Sequence, residues 1–191
     1  MWISFWGAGH TLGQVPVPQV MEPNPEYAKW SSFSAGTTAT FSQATLDGSG
    51  VKVGNAVIVW TLNAVSAESV TISDDHTTQP GTPDEFTCSS GDVVIPAMIP
   101  VGSGTAGAGG RMETVVVGAV ETIDVPAGTF QCSLTTTTVT VPMPGGQVCT
   151  IVTKEWTSDK VPGAMVKTTS TVDAGTGSIS TAMELTAFSI K

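Results

Sequence analysis

Positive charge is what this chain has least of. Across 191 residues there are seven basic side chains, with Arg111 the single arginine, against 16 acidic ones, and the net charge is -9. The lysines are scattered, so no basic stripe is present to neutralise phosphates. Nucleic acid and an anionic membrane surface are thereby not expected as partners. Charge of either sign is scarce: charged residues make up 12%, about half the share usual in soluble domains. Long apolar runs are missing too. None approaches the ~20 residues of a membrane-crossing helix, so no membrane span is expected.

Side chains that carry chemistry are equally few. The two histidines are His10 and His76, and Asp74-Asp75-His76 is the one cluster with metal-ligand chemistry. A metal needs three or four converging ligands, which three adjacent residues rarely supply. There is no G-x-S-x-G elbow for a serine nucleophile, and no base adjoins a cysteine in sequence to hold a thiolate. Asp84 and Glu85 would face opposite sides of a strand, which is wrong for an acid/base pair. Residues 99–110 contain Gly102-x-Gly104-x-x-Gly107, but a β-type run follows where a dinucleotide fingerprint requires a helix. The reading is a protein that is not an enzyme, with no catalytic residue, no cofactor and no metal.

Three cysteines, Cys88, Cys132 and Cys149, cannot all pair within one chain. A symmetric turn through residues 142–146 sets Val141 opposite Gln147, Val139 opposite Cys149 and Cys132 opposite Trp156. Side chains alternate along a strand, so Cys132 and Cys149 then lie on opposite faces and do not bond. Cys88 is left either bridged to one of them, as suits an oxidising compartment, or free like any small buried hydrophobe.

What is abundant points to sheet. Threonine makes up roughly 15% of the residues, well above ordinary usage, and Thr and Val are stiff at χ1 and fit a pleated surface. From Thr37 onward apolar residues recur at period two. The strongest run puts Ala56, Ile58, Trp60, Leu62 and Ala64 on one face, and a turn at residues 66–68 returns Val70 and Ile72 to it. Residues 73–83 read as a polar loop, followed by short strands at 86–88 and 93–95. Further strands are expected at 112–120, 129–141, 148–156, 164–172 and 178–190. The fold class is mainly β: a single strongly curved antiparallel sheet of about nine or ten strands. One short helix precedes it near residues 25–31, with Asn24 as its cap, Pro25 in its first turn and Glu26 at its positive end. Trp30 and Phe33 would form its buried face.

The domain is expected to run from 25 to 191, with residues 1–24 as an extended N-terminal arm or a residual export signal. Trp2, Phe5 and Trp6 stand in an apolar opening that lacks the positive region of a secretory signal. The prolines at 16 and 18 forbid a central strand after it. We take this segment as an arm that packs against something, with Trp2, Phe5 and Trp6 as its contact residues.

Two turn motifs complete the pattern. In Val125-Pro126-Ala127-Gly128-Thr129-Phe130, Pro126 fixes φ and Gly128 permits a positive φ, so one strand turns into the next and Phe130 points to the face of Cys132, Leu134 and Trp156. Val161-Pro162-Gly163 reads as a repeat of that device. These segments, with Trp30-x-x-Phe33-x-x-Gly36, Trp156-x-Ser158, Val166-Lys167 and Met183-Glu184-Leu185, resemble an exported bacterial family of unknown function, the TapB-like group. That group is similar in outline to the LolA-type half-barrel of lipoprotein carriers. Ala164 departs from the family pattern, which usually has a second glycine there. The resemblance implies a half-barrel and an extracellular or cell-envelope location, and it supplies no catalytic residue.

Two functions fit. One is a non-enzymatic exported subunit of a cell-surface or extracellular assembly, self-associating through the arm. The alternative is a carrier or chaperone that holds an apolar or acyl ligand in the concave face of the sheet.

Overall fold

A computed structural model describes residues 19–78, 90–101, 112–143, 146–175 and 177–191. The arm residues Trp2, Phe5 and Trp6 lie outside these, as do His10, Asp84, Glu85, Cys88, the expected strand at 86–88, Arg111 and the glycines from Gly102 to Gly110.

The elements, in chain order, are β1 (Met21–Pro23), α1 (Pro25–Ser31), β2 (Thr38–Leu46), β3 (Lys52–Val65), β4 (Ser69–Thr78), β5 (Gly91–Pro96), β6 (Met98–Pro100), β7 (Met112–Val125), β8 (Gly128–Pro142), β9 (Val148–Thr157), β10 (Met165–Asp173) and β11 (Ser178–Ser189). Nine strands form one open antiparallel sheet in the order β5-β4-β3-β2-β11-β10-β9-β8-β7. The expected single sheet is therefore a large half-barrel-like sheet plus a two-stranded ribbon, β1 with β6. Met21–Pro23 of the expected arm belongs to that ribbon.

Local chemistry explains the helix. Asn24 has extended backbone, its Oδ1 accepts from the Glu26 amide at 3.0 Å, and Pro25 opens the first turn, where a missing N–H costs nothing. Seven residues cannot hold a helix in water alone; this one is held by Trp30, which is buried with Leu62, Val70 and Ile72. Phe33 packs against the same cluster but stays half-buried.

The larger core joins Phe41, Ile58, Phe130, Cys132, Val166 and Leu185. Trp60 links the two clusters: its ring centroid is 4.6 Å from Phe41 and 6.2 Å from Trp30. The tip of the β7–β8 hairpin folds onto β11. There the Ala127 amide donates to the Leu185 carbonyl at 3.2 Å, and Phe130 meets Phe188 with centroids 6.1 Å apart.

Three expectations are corrected. The polar stretch from Ser73 to Thr78 is not a loop, because β4 continues to Thr78 and pairs with β3 as far as Ala56 opposite Thr78; residues 79–83 of the expected loop lie outside the described residues. Ser73 bonds with Asn63 and Asp92, and Asp74 with Trp60 and His76, so part of this polar stretch finds its partners on the sheet itself. Strand β7 likewise runs on past Val120 to Val125. Finally, the β8–β9 register differs by two residues: Val141 faces Cys149, Val139 faces Ile151 and Leu134 faces Trp156. The turn is closed by the Met143 amide donating to the Gln147 carbonyl at 2.8 Å, one residue further along the chain than the symmetric turn assumed. A shift of two preserves side-chain alternation, so Cys132 and Cys149 still belong to opposite faces, and both are free thiols.

Candidate functional site

The two proline-glycine turns are built differently. Pro126 and Ala127 form a two-residue connection closed by the Val125–Gly128 pair, with Gly128 at φ 134°. The second is not a repeat of it. Residues 158–164 make a longer loop in which the Ser158 amide donates to the Ala164 carbonyl and the Ala164 amide to that of Val161. Val161 and Pro162 are buried, and the Gly163 amide donates to the Lys29 carbonyl at 3.2 Å. This loop clamps the helix to the sheet.

Asp74 and His76, two residues apart on β4, share a face and converge. His76 Nε2 lies 2.9 Å from Asp74 Oδ1, the same oxygen that accepts from Trp60 Nε1 at 2.9 Å. Asp75 is exposed on the other face. His76 Nδ1 is buried without a hydrogen-bond partner. This trio is what the sequence cluster becomes, a polar bridge between β3 and β4; among the described residues no three His, Cys, Asp or Glu side chains converge on a metal-sized centre.

Two clefts border the helix, and both touch Lys29. The larger, about 560 Å³, has a mixed lining that includes Ser32, Gln131, Ser133 and Asp159 beside Phe33 and Val161. The smaller, about 210 Å³, lies among Trp30, Trp60, Ile72, Asp74 and Glu155. Lys29 Nζ sits 2.8 Å from Glu26 and 3.4 Å from Glu155. Burial alone would pull its pKa down, but the hydrogen bond to Glu26 and the charges of Glu155 and Glu26 outweigh it and hold the ammonium above the ordinary lysine value. Its charge is committed to these two carboxylates.

Strand β7 packs Ile123 and Val125 on the larger core, but from Glu113 to Val120 it is exposed. Among the described residues it pairs with β8 alone, and it ends the large sheet. Val115, Val116, Val117 and Val120 are 55%, 56%, 74% and 66% exposed. Successive side chains point to opposite faces, so this strand offers apolar surface on both sides, at an edge that no second described strand pairs with. The other edge, β5, also exposes Val93 and Val94, but it is only six residues long and ends in Pro96, both devices that blunt edge pairing. On β7 a bulge at Gly118 and Ala119 interrupts the ladder, leaving Met112–Val117 as a regular stretch. A Cβ at Gly118 would come within 3.3 Å of Leu134, so the chain lies close to β8 at the bulge. The sequence reading missed this site, although Thr114-Val115-Val116-Val117 beside a Gly-Ala pair was its signal.

Comparison with solved structures supports the fold. A Bacteroides fragilis protein of YmcC-like fold, inferred to be exported, aligns over 82% of this chain and 97% of its own at 12% identity, with a TM-score of 0.51. A Parabacteroides distasonis protein, inferred to be a lipoprotein, aligns over 84% and 98% at 14% identity, with a TM-score of 0.54. At such identities the likeness is one of fold, and it does not single out the TapB-like group or the LolA type. No protein-family model matches the chain, and no curated protein matches it in sequence. Among the described residues no helix is long and apolar enough to cross a membrane.

Proposed function

We propose that this chain is an exported, non-enzymatic structural domain that associates with further copies of itself in an assembly at the cell surface or in the envelope. The observation that carries the reading is the β7 edge. A long terminal strand with exposed valines on both faces is a ready template for another strand, and a soluble monomer normally covers or charges such an edge. The export part is supported by the two solved structures of similar fold, one inferred to be exported and the other inferred to be a lipoprotein. The alternative of an acyl carrier draws less support: the face beneath the β7–β8 tip is filled by Phe41, Phe130 and Leu185.

Sedimentation velocity over a range of concentrations tests the assembly. The intact chain is expected to form species that grow with concentration, and Val115→Lys with Val117→Lys to leave a folded monomer with an unchanged circular dichroism spectrum. An intact chain that stays monomeric at high concentration, with an apolar molecule co-purifying, would replace this reading with the carrier. Cell fractionation tests location; recovery wholly in the cytoplasm would sink the export part.

A further inference from the structure

We infer that the β7 edge receives the segment Trp2–Gly7 of a second copy, added as a further strand beside Met112–Val117. This rests on the assembly reading above and names both the acceptor and the donor.

The acceptor follows from the ladder. Residues Met112–Val117 pair regularly with Thr140–Thr135 before the bulge. In such a strand every second residue turns its N–H and C=O away from its one neighbour, so between Thr114 and Val117 alternate residues have no strand partner on that side among the described residues. The bulge ends the template, and this limits the donor to about six residues.

The donor follows from charge, composition and position. The chain carries no Asp, Glu, Lys or Arg before Glu22. The acceptor is equally uncharged from Thr114 to Val120, between Glu113 and Glu121. In a protein of net charge -9, an uncharged segment can lie along this edge without setting like charges opposite one another. Trp2-Ile3-Ser4-Phe5-Trp6 is rich in strand-forming aromatic and β-branched residues. Its alternation presents Trp2 and Trp6 on one face and Ile3 and Phe5 on the other, matching an edge that is apolar on both faces. Pro16 and Pro18 lack the donors a strand needs, so the pairing segment precedes them.

The second copy follows from the assembly reading, and position allows it. The described chain starts beside the other end of the sheet: the Val20 carbonyl accepts from the Val101 amide, and Asn24 donates from its backbone to Ala97 and from its side chain to Pro96 at the end of β5. Donor root and acceptor edge thus lie at opposite ends of the strand order. The 18 residues before Gln19 span up to ~60 Å when extended, enough to reach a neighbour. A contact of this kind is head-to-tail and need not close, so open filaments are expected rather than dimers.

The test uses the full chain, a form lacking residues 1–8, the Val115→Lys/Val117→Lys variant in both backgrounds, and a fluorescent peptide of residues 1–9. The shortened form should be a folded monomer. Peptide anisotropy should rise saturably on the shortened form and bind the lysine variant at least roughly tenfold more weakly. A peptide with Ser4→Pro should lose binding similarly. If the shortened form still assembles while the lysine variant does not, β7 pairs with a copy of itself and the inference fails, leaving the assembly reading intact. Equal peptide binding to the lysine variant would place the acceptor elsewhere and overturn the inference. A monomeric full chain that refuses peptide while the shortened form binds it would mean the segment folds onto its own β7, overturning both the second copy and the assembly.

Discussion

Gly163 is pressed so closely against Trp30 that a Cβ on the glycine would fall 2.6 Å from Cζ2 and 2.9 Å from Cε2 of the indole. Its φ of 74° is one that side-chain-bearing residues rarely adopt. Trp30 is buried beneath Leu62, Val70 and Ile72 and cannot retreat. Gly163→Ala should therefore cost about 2–4 kcal/mol, from strain and overpacking together. Urea denaturation checks it; a loss under roughly 0.5 kcal/mol, the size of an ordinary surface effect, would show that the helix yields freely.

The neighbouring Ala164 makes the opposite case. It has a φ of 59° and is the single non-glycine residue with positive φ among those described. The left-handed region costs an L-residue roughly 1–2 kcal/mol, and glycine's extra freedom in the unfolded chain returns part of any gain. Ala164→Gly should raise the urea midpoint, by roughly 0.5–1 kcal/mol in stability, with an unchanged m-value. A lowered midpoint would contradict it.

Asp74 holds two donors at one oxygen, Trp60 Nε1 and His76 Nε2. Asp74→Ala strands both in a half-buried setting, where an orphaned donor costs about 1–3 kcal/mol. A destabilisation in that range, with the tryptophan fluorescence of the native state altered, is expected. No change in either would mean that solvent replaces the carboxylate.

Asp47 closes the β2–β3 turn, accepting from the Ser49 hydroxyl at 2.7 Å and from the Ser49 and Val51 amides at 2.9 Å. The Ser49 hydroxyl first, and the Val51 amide next, hold its carboxyl below the ordinary range. The folded state thus favours the ionised form, and the resulting stability is present above the free-carboxylate range and lost as pH falls through the lower folded value. Asp47→Ala should be less stable than the parent at neutral pH, with the gap narrowing in acid. A gap independent of pH would assign the effect to the turn backbone alone.

Burial pushes the Cys132 thiol up in pKa, whereas Cys149 is half-exposed. Iodoacetamide on the native protein should label Cys149 well before Cys132, since the thiolate is the nucleophile. Non-reducing peptide mapping should recover no Cys132–Cys149 link; such a link would mean that the alternation along β8 and β9 breaks.

The amino-acid sequence by itself determined the local pieces. Asn24, Pro25 and Glu26 set the helix start, because capping needs only neighbours in the chain. Alternation made the strands legible, and Pro126 with Gly128 placed a turn between two of them. The opposite faces of Cys132 and Cys149 survived a register error of two because parity is a local property. Tertiary structure decided everything that depends on distant partners. Asp74 and His76 read as loop because their partner, Trp60, comes from another strand. Gly163 read as an ordinary turn residue because nothing nearby in sequence announces the Trp30 ring above it. The pairing of β2 with β11, which leaves β5 and β7 as the two ends of the sheet, arises from contacts between residues as far apart as Thr38 and Ser189. Whether a valine-rich strand lies inside a sheet or at its rim depends on such pairings, because backbone hydrogen bonds between strands carry no mark in the residues that make them.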